Sequence, residues 1–159
     1  MRVTALTVGK IKETYLKEGI KEYAKRLSKY CKLEIVEVAD EKTPDFLDGS
    51  QVELVLKKEG ERLLKCLPKD AYVVTLEISG QQLTSQQFAS KIDSLAVGGV
   101  SHIVFVIGGS LGLGKNILEK SDFSLSFSKM TFPHQLMRVI LLEQIYRSYR
   151  IIKGEPYHK

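Results

Sequence analysis

The sequence has few cysteines and no long hydrophobic run. Its two cysteines, Cys31 and Cys66, stand far apart in no CxxC pattern, which supports neither a disulfide framework nor a zinc or other metal site. Two reduced thiols are typical of a cytosolic protein. The N-terminal apolar run is too short for a signal peptide, and no segment is long enough to span a bilayer. We therefore expect a cytoplasmic protein without a membrane partner.

Features of disordered or fibrous chains are also missing. The 159 residues are 43% hydrophobic and 27% charged, which is an ordinary globular composition. We find no internal repeat, linker or low-complexity tract. The length fits one domain with a sizeable core, so we predict a single domain over residues 1–159.

Positive charge is concentrated at the two ends of the chain. The formal net charge is +5. Residues 10–32 contain eight basic and three acidic side chains. Residues 129–159 contain six basic and two acidic side chains, and the segment between these two regions is net acidic. This asymmetry indicates a nucleic-acid partner. A solvated, lysine-rich helix face would give the first cluster the same composition.

Hydrophobic periodicity divides the chain into alternating strands and helices. This alternation predicts an α/β fold, with a mainly parallel sheet flanked by helices. Glycine and proline mark a loop by the segments 43–45 and 48–50, and a turn at Ser79–Gly80. Strands are predicted at 3–8, 33–38, 71–78, 102–107 and 123–127, and helices at 14–30, 51–67, 84–96, around Ile117 and at 133–152.

The last predicted helix is apolar around most of its circumference. Such a helix must be buried on more than one side, and the terminal helix of a small domain rarely finds that cover within its own chain. We therefore predict a homodimer, with the C-terminal tail near the partner subunit. The apolar residues are Leu136, Met137, Val139, Ile140, Leu141, Leu142, Ile145 and Tyr146.

The most informative segment is the strand 102–107 with the glycine-rich turn 108–115 after it. Ligands of open α/β sheets bind at the carboxyl ends of the strands, and glycine lets the backbone approach a ligand closely. A P-loop fits the GxxxxGK pattern of 109–115, but Asn116 stands where Ser or Thr would hold Mg²⁺. A dinucleotide fingerprint fails at Ile117. A tight turn that needs glycine only for its backbone angles is the third interpretation.

A second loop, 127–134, precedes the last helix. Its apolar side chains could wall a flat ring, and its backbone amides lie at a helix N-terminus. With the strand end 76–78 and the glycine turn, this loop could hold an adenine and a short charged tail.

Several segments together carry a specific resemblance. They lie at 73–77, 106–112, 127–136, 138–139, 143–147 and 156–158. They resemble the trefoil-knot (SPOUT) RNA methyltransferases, and among these the small single-domain family that methylates N3 of a pseudouridine in 23S ribosomal RNA. The chain differs from the familiar pattern at Phe132, where leucine is usual, and in ending at Lys159.

The resemblance implies an S-adenosyl-L-methionine site on a deep C-terminal trefoil knot, in an obligate homodimer. It also implies 23S ribosomal RNA as the substrate, and the chain's small size favours RNA within an assembled ribosome over naked RNA. The competing interpretation is a non-catalytic RNA-binding dimer. The residues expected to line the cofactor are Leu76, Gly108, Phe127, Ser128, Lys129, Met130, Thr131 and Phe132.

Transfer to the weakly acidic N3–H needs either a base or electrostatic help. The candidates are His134, Arg147, Tyr157 and His158. Arg147 would face a phosphate or the developing uracil oxyanion, and the resemblance favours donation of His158 across the dimer. A backbone-bonding role competes with catalysis for His134.

Two further charged residues are expected to be structural. His102 opens a strand, which favours a structural role. Arg138 lies on the apolar helix, where we expect an interface contact or a buried ion pair with Glu143.

Overall fold

The computed structural model describes residues 1–43 and 45–159, so Pro44 of the predicted loop lies outside the described residues. Strands and helices alternate as the periodicity predicts. The elements are β1 (Arg2–Val8), α1 (Thr14–Leu27), β2 (Lys32–Val38), α2 (Gly49–Lys65), β3 (Tyr72–Gln82), α3 (Ser85–Val97), β4 (His102–Ile107), α4 (Lys115–Leu118), β5 (Phe123–Ser126) and α5 (His134–Ile152).

All five strands form one parallel sheet in the order β2-β1-β4-β3-β5. Both faces of the sheet are buried. Helices α1, α3 and α5 cover one face around Phe105 and Leu141, and α2 and α4 cover the other around Leu63 and Val106. Burial on both faces explains why β4 reads as a continuous apolar run. The predicted α/β class and parallel sheet are confirmed.

Two capping boxes set the beginnings of α2 and α3. Thr84 and Gln87 form one before α3. Asp48 and Gln51 form a second one, so α2 begins at Gly49, two residues before the predicted start. An N-cap side chain satisfies backbone N–H groups that the first helical turn leaves free.

The predicted turn at Ser79–Gly80 is wrong, because β3 continues through these residues to Gln82. β3 pairs with β5 in two stretches, and the register shifts between Leu76 and Gln81. A Cβ on Gly80 would lie 2.8 Å from the backbone of Ser124. Glycine is therefore needed here for a close approach of two strands.

Helix α5 lies between α1 and α3. Leu141, Leu142 and Ile145 are fully buried within their own chain. Four of the other apolar residues on this helix are only half-buried: Leu136, Met137, Val139 and Ile140. The chain thus covers part of the apolar circumference itself and leaves the rest accessible to a second molecule.

Within the described ranges, no helix combines the length and the apolar content needed to cross a bilayer.

Candidate functional site

A cavity of about 890 Å³ opens at the carboxyl ends of β3, β4 and β5. Three segments form its walls: the end of β3, the glycine turn, and the loop between β5 and α5. Seven of the eight residues predicted to line a cofactor line this cavity: Leu76, Gly108, Phe127, Ser128, Met130, Thr131 and Phe132. Lys129 belongs to the same loop but is exposed and does not line the cavity.

The lining also contains residues beyond the eight that were expected to line the cofactor, and Glu77, Ile78 and Leu113 belong to the strand end and glycine turn predicted for this site. Leu113 and Leu125 add apolar wall, and Glu77 contributes a carboxylate. Ile78 and Met130 stand at the mouth, with 52% and 74% of their surfaces exposed. Glu77 and Ile78 follow the same strand-end rule that predicts Leu76, so their signal was present in the sequence.

The glycine turn needs glycine for its own backbone. Gly112 has a φ of +88°, and its N–H donates to the carbonyl of Gly109 at 3.1 Å. A Cβ on Gly108 would lie 2.2 Å from the carbonyl oxygen of Gly112. The turn is therefore closed upon itself, and in this closed form it makes one wall of the cavity.

The side chain of Asn116 supports this turn through two hydrogen bonds. Its Nδ2 donates to the Lys57 carbonyl and its Oδ1 accepts from the Ile117 N–H, both at 3.0 Å. A P-loop needs a hydroxyl at this position and a long helix behind the loop. Helix α4 has only four residues, and Lys115 is exposed. The geometry therefore argues against a binding site for a nucleoside triphosphate.

A buried carboxylate lies beneath the turn. Glu59 is 5% exposed, and burial raises the pKa of its carboxyl group. Its Oε2 accepts from the Glu41 N–H at 3.0 Å, and a Cβ on Gly109 would lie 3.4 Å from that oxygen. Glu59 thus links the segment after β2 to the glycine turn.

The loop on the opposite wall is held by its own serines. The Ser126 hydroxyl donates to the Ser128 carbonyl at 3.0 Å, and the Met130 N–H donates to Ser128 Oγ at 2.9 Å. These bonds position the exposed Met130 at the mouth of the cavity.

His134 is the only one of the four catalytic candidates that lines the cavity. Burial and the positive charge of Arg138 lower the pKa of His134, so its imidazole is neutral at pH 7. Among the described residues its ring makes no hydrogen bond, so the geometry does not support a backbone-bonding role.

The expected pairing of Arg138 with Glu143 is wrong. Arg138 is 2% exposed, and its Nη1 donates to Glu37 at 2.7 Å. Its Nη2 donates to the carbonyls of Val8 and Gly9, both at 2.8 Å. The buried guanidinium therefore ties the first turns of α5 to the end of β1, which places His134 beside the cavity.

The other three catalytic candidates meet around Glu143 in the middle of α5 and Arg147 in its C-terminal half. Glu143 Oε1 accepts from Arg147 Nε at 2.9 Å and from the Tyr157 hydroxyl at 3.2 Å. Arg147 Nη1 lies 3.2 Å from His158 Nδ1. Because a guanidinium only donates, Nδ1 is the acceptor, and the proton of a neutral His158 ring is on Nε2.

Protonation states restrict what this cluster can do. Burial and the neighbouring Glu143 carboxylate raise the pKa of Tyr157 to about 12, so this phenol donates and does not act as a base at neutral pH. The hydrogen bond to Glu143 raises the pKa of Arg147, which keeps the guanidinium charged. The cluster therefore offers a fixed cation and a phenolic donor.

The structure does not bring all four candidates together in one chain. Arg147 lies 13 positions after His134 on α5, which corresponds to a rise of about 20 Å. One chain therefore carries a cavity with His134 at one end of α5 and the cluster of Arg147, Tyr157 and His158 at the other.

His102 has the expected structural role. One ring nitrogen lies 2.8 Å from Thr4 Oγ1 on the neighbouring strand β1. This contact is at the amino ends of the strands, opposite the cavity.

Comparison with known proteins gives a consistent result. A family model described as "Predicted SPOUT methyltransferase" matches residues 1–158. The ribosomal RNA large subunit methyltransferases H of Bifidobacterium adolescentis and Clostridium beijerinckii are 60% and 55% identical to this chain, in both cases over the full length of both proteins. A probable methylase family protein from Haemophilus influenzae Rd KW20 shares the fold, with a TM-score of 0.52, 12% identity, and coverage of 99% of this chain and 70% of its own.

Proposed function

The chain belongs to the SPOUT methyltransferase family, and from this premise we propose that it transfers a methyl group from S-adenosylmethionine to N3 of a pseudouridine in 23S ribosomal RNA. The observation that carries the proposal is the convergence of three separate segments, at 76–79, 107–113 and 127–134, on one cavity. These three segments overlap three of the six that carry the sequence resemblance to the family.

The cavity fits the cofactor in size and chemistry. A volume of about 890 Å³ is large enough for a nucleoside with an amino-acid chain. Leu76, Leu113 and Phe132 supply apolar walls for an adenine, and the backbone of the glycine turn supplies polar groups. When bound, S-adenosylmethionine would provide a methyl group activated by a sulfonium centre.

The residues of the chain would then position the uracil ring and handle its proton. His134, neutral and at the cavity wall, would accept the N3 proton at a ring nitrogen. Arg147 would stabilise negative charge that develops on the uracil carbonyl oxygens, and Tyr157 would donate a hydrogen bond. Correct alignment of N3 with the methyl group would supply much of the rate.

A homodimer would unite the two ends of α5. The half-buried Leu136 and Ile140 offer an apolar surface for a second copy of α5. In an antiparallel arrangement, the Arg147, Tyr157 and His158 of one subunit would reach the cavity of the other. The deep trefoil knot belongs to the same proposal and is supported by membership of the family.

The substrate that this proposal favours is RNA within an assembled ribosome in the cytoplasm. The described residues 1–43 and 45–159 form one α/β unit, so we expect RNA recognition to come from the surface of this unit. A structured particle would supply the shape that a small enzyme needs for selectivity. Equal methylation of naked 23S RNA and of ribosomes would contradict this part of the proposal.

The first experiment is calorimetric titration of the purified protein with S-adenosylmethionine and, in parallel, with ATP and Mg²⁺. We expect binding of S-adenosylmethionine alone. Mass spectrometry of nucleosides from treated ribosomes should then detect N3-methylpseudouridine. Binding of ATP alone would restore the P-loop interpretation, and binding of neither ligand would favour the non-catalytic RNA-binding dimer.

A further inference from the structure

A second, shallower cavity lies far from the first. It has a volume of about 850 Å³ and lies between the C-terminal half of α1 and the edge strand β2. Its lining includes Ala24, Ser28, Lys29, Tyr30, Lys32 and Ile35. We call it the α1–β2 groove. Ile35 is 39% exposed, so the groove has an accessible apolar floor.

Lysines surround this groove, and acidic side chains are turned away from it. Lys29 and Lys32 line it directly. On the α1 helical wheel, Lys17 and Lys21 lie within about 60° of the groove residue Ala24, whereas Glu18 and Glu22 lie about 120° or more away. On α1 the lysines therefore lie on the flank towards β2, whereas Glu18 and Glu22 lie on the exposed side of the helix.

The lysines on this flank are not neutralised within the chain. Every ion pair in the described part of the chain involves an arginine, and Glu22 is held by Arg26 at 3.0 Å. The thiol of Cys31, also in the lining, adds no negative charge, because burial raises its pKa to about 11. Unpaired cations beside an apolar floor fit a polyanion that also presents flat rings.

The groove is connected to the C-terminal tail through one of its own residues. The Tyr30 hydroxyl donates to Glu155 Oε2 at 2.6 Å. Arg150 Nη2 donates to the Pro156 carbonyl at 3.0 Å, and Arg150 also bonds to Tyr30 and Glu155. A ligand in the groove would therefore lie beside the segment that leads into Tyr157 and His158.

We propose that the α1–β2 groove binds the phosphate backbone of the ribosomal RNA substrate and orients it relative to the C-terminal tail. The identity of the RNA rests on the proposed function, whereas the choice of a phosphate backbone rests on the unpaired lysines. The groove lies near the amino end of β2 and is separate from the cofactor cavity at the carboxyl ends of the strands.

The test compares two charge reversals of equal size in the full-length protein. The groove variant is Lys29→Glu with Lys32→Glu, and the control is Lys58→Glu with Lys120→Glu, two exposed lysines on and next to the helices of the opposite sheet face. Three quantities are measured for each: the Kd for S-adenosylmethionine, the KM for large ribosomal subunits, and the salt dependence of binding to deproteinised 23S RNA.

We expect the groove variant to keep the wild-type Kd for S-adenosylmethionine and the wild-type kcat, and to raise the KM for ribosomal subunits on the order of tenfold. The slope of log K against log salt for RNA should fall by about 2, since each lost phosphate contact removes nearly one unit. The control should stay within about twofold of wild type, because its lysines would make no such contacts. Lys29→Arg with Lys32→Arg should retain wild-type binding.

Three results would overturn the proposal. The first is an unchanged KM and salt slope in the groove variant, and the second is an equal loss in the control. The third is a loss with intact subunits but not with deproteinised RNA, which would assign the groove to a ribosomal protein. The RNA-binding measurement does not require methylation, so failure of the proposed function would be seen separately.

Discussion

Glu143 and Arg147 face each other across one turn of α5, with Glu143 Oε1 at 2.9 Å from Nε and 2.5 Å from Nη2 of Arg147. The same oxygen accepts from the Tyr157 hydroxyl at 3.2 Å. One carboxylate oxygen therefore fixes both a cation on the helix and a residue of the tail.

Replacing Glu143 with Gln should lower kcat for methyl transfer on the order of 10²-fold, because Arg147 and Tyr157 lose their shared anchor. The Kd for S-adenosylmethionine should not change, since Glu143 does not line the cavity. Single-turnover kinetics and calorimetry would measure the two quantities. Glu22→Gln removes an equivalent i,i+4 pair on α1 and should change kcat by less than about twofold. Equal losses in both variants would contradict a specific role for Glu143.

Replacing Gly108 with Ala should abolish cofactor binding. The new Cβ would lie 2.2 Å from the Gly112 carbonyl oxygen, so the glycine turn would have to open. Calorimetry with S-adenosylmethionine gives the readout, and circular dichroism checks that the fold remains. Gly49→Ala is the matched control, because nothing lies within 4 Å of a Cβ there. Wild-type affinity in Gly108→Ala would show that the turn is not a cofactor wall.

Replacing Arg138 with Met should lower the free energy of unfolding by about 3 kcal/mol, because Glu37 and two backbone carbonyls lose their buried partner. Urea denaturation measures the loss. Arg2→Met breaks a half-exposed ion pair with Glu34 and should cost less than about 1 kcal/mol. If both variants lost a similar free energy of unfolding, burial of Arg138 would add nothing to the stability that its ion pair provides.

The pH dependence of methylation should report on His134. Its pKa is lowered from 6.5 by burial and by Arg138, so the neutral base persists below that pH. The plot of kcat/KM against pH should therefore have an acidic limb with an apparent pKa below 6.5. The same shift makes the folded state lose stability as pH falls below 6.5, since the unfolded chain then binds the proton more readily.

The variant His134→Gln removes this titrating group. It should lower kcat/KM and abolish the acidic limb, and it should reduce the loss of stability at low pH. A limb that persists in His134→Gln would assign the proton transfer to another group.

The sheet was more predictable from sequence than the connections between its strands. Strands buried on both faces, such as β4, produce short continuous apolar runs, and the length and the β-branched and aromatic residues of β4 distinguish it from a buried helix segment. The turn predicted at Gly80 was wrong, because glycine is found both in turns and where two backbones approach each other closely. Only the pairing of β3 with β5 distinguishes these two cases.

The cavity could be predicted because parallel strands bring their carboxyl ends to one edge, which unites Leu76, Gly108 and Phe127. The partner of Arg138 could not be predicted from the sequence. Proximity in sequence favours Glu143, five residues away, whereas the true partner Glu37 comes from β2, 101 residues earlier. A contact of that kind follows only from the order of the strands.

The strand order also governs how this chain acquires its fold. β1 lies between β2 and β4, and its residue Arg2 is in register with His102, 100 positions later. On a translating ribosome, β1 and β2 are therefore synthesised long before β4, which is the second neighbour of β1. Until then the apolar side chains of β1 have an unpaired strand edge beside them. Such long-range parallel pairing makes folding slow and leaves the chain prone to aggregation while this edge of β1 is unpaired.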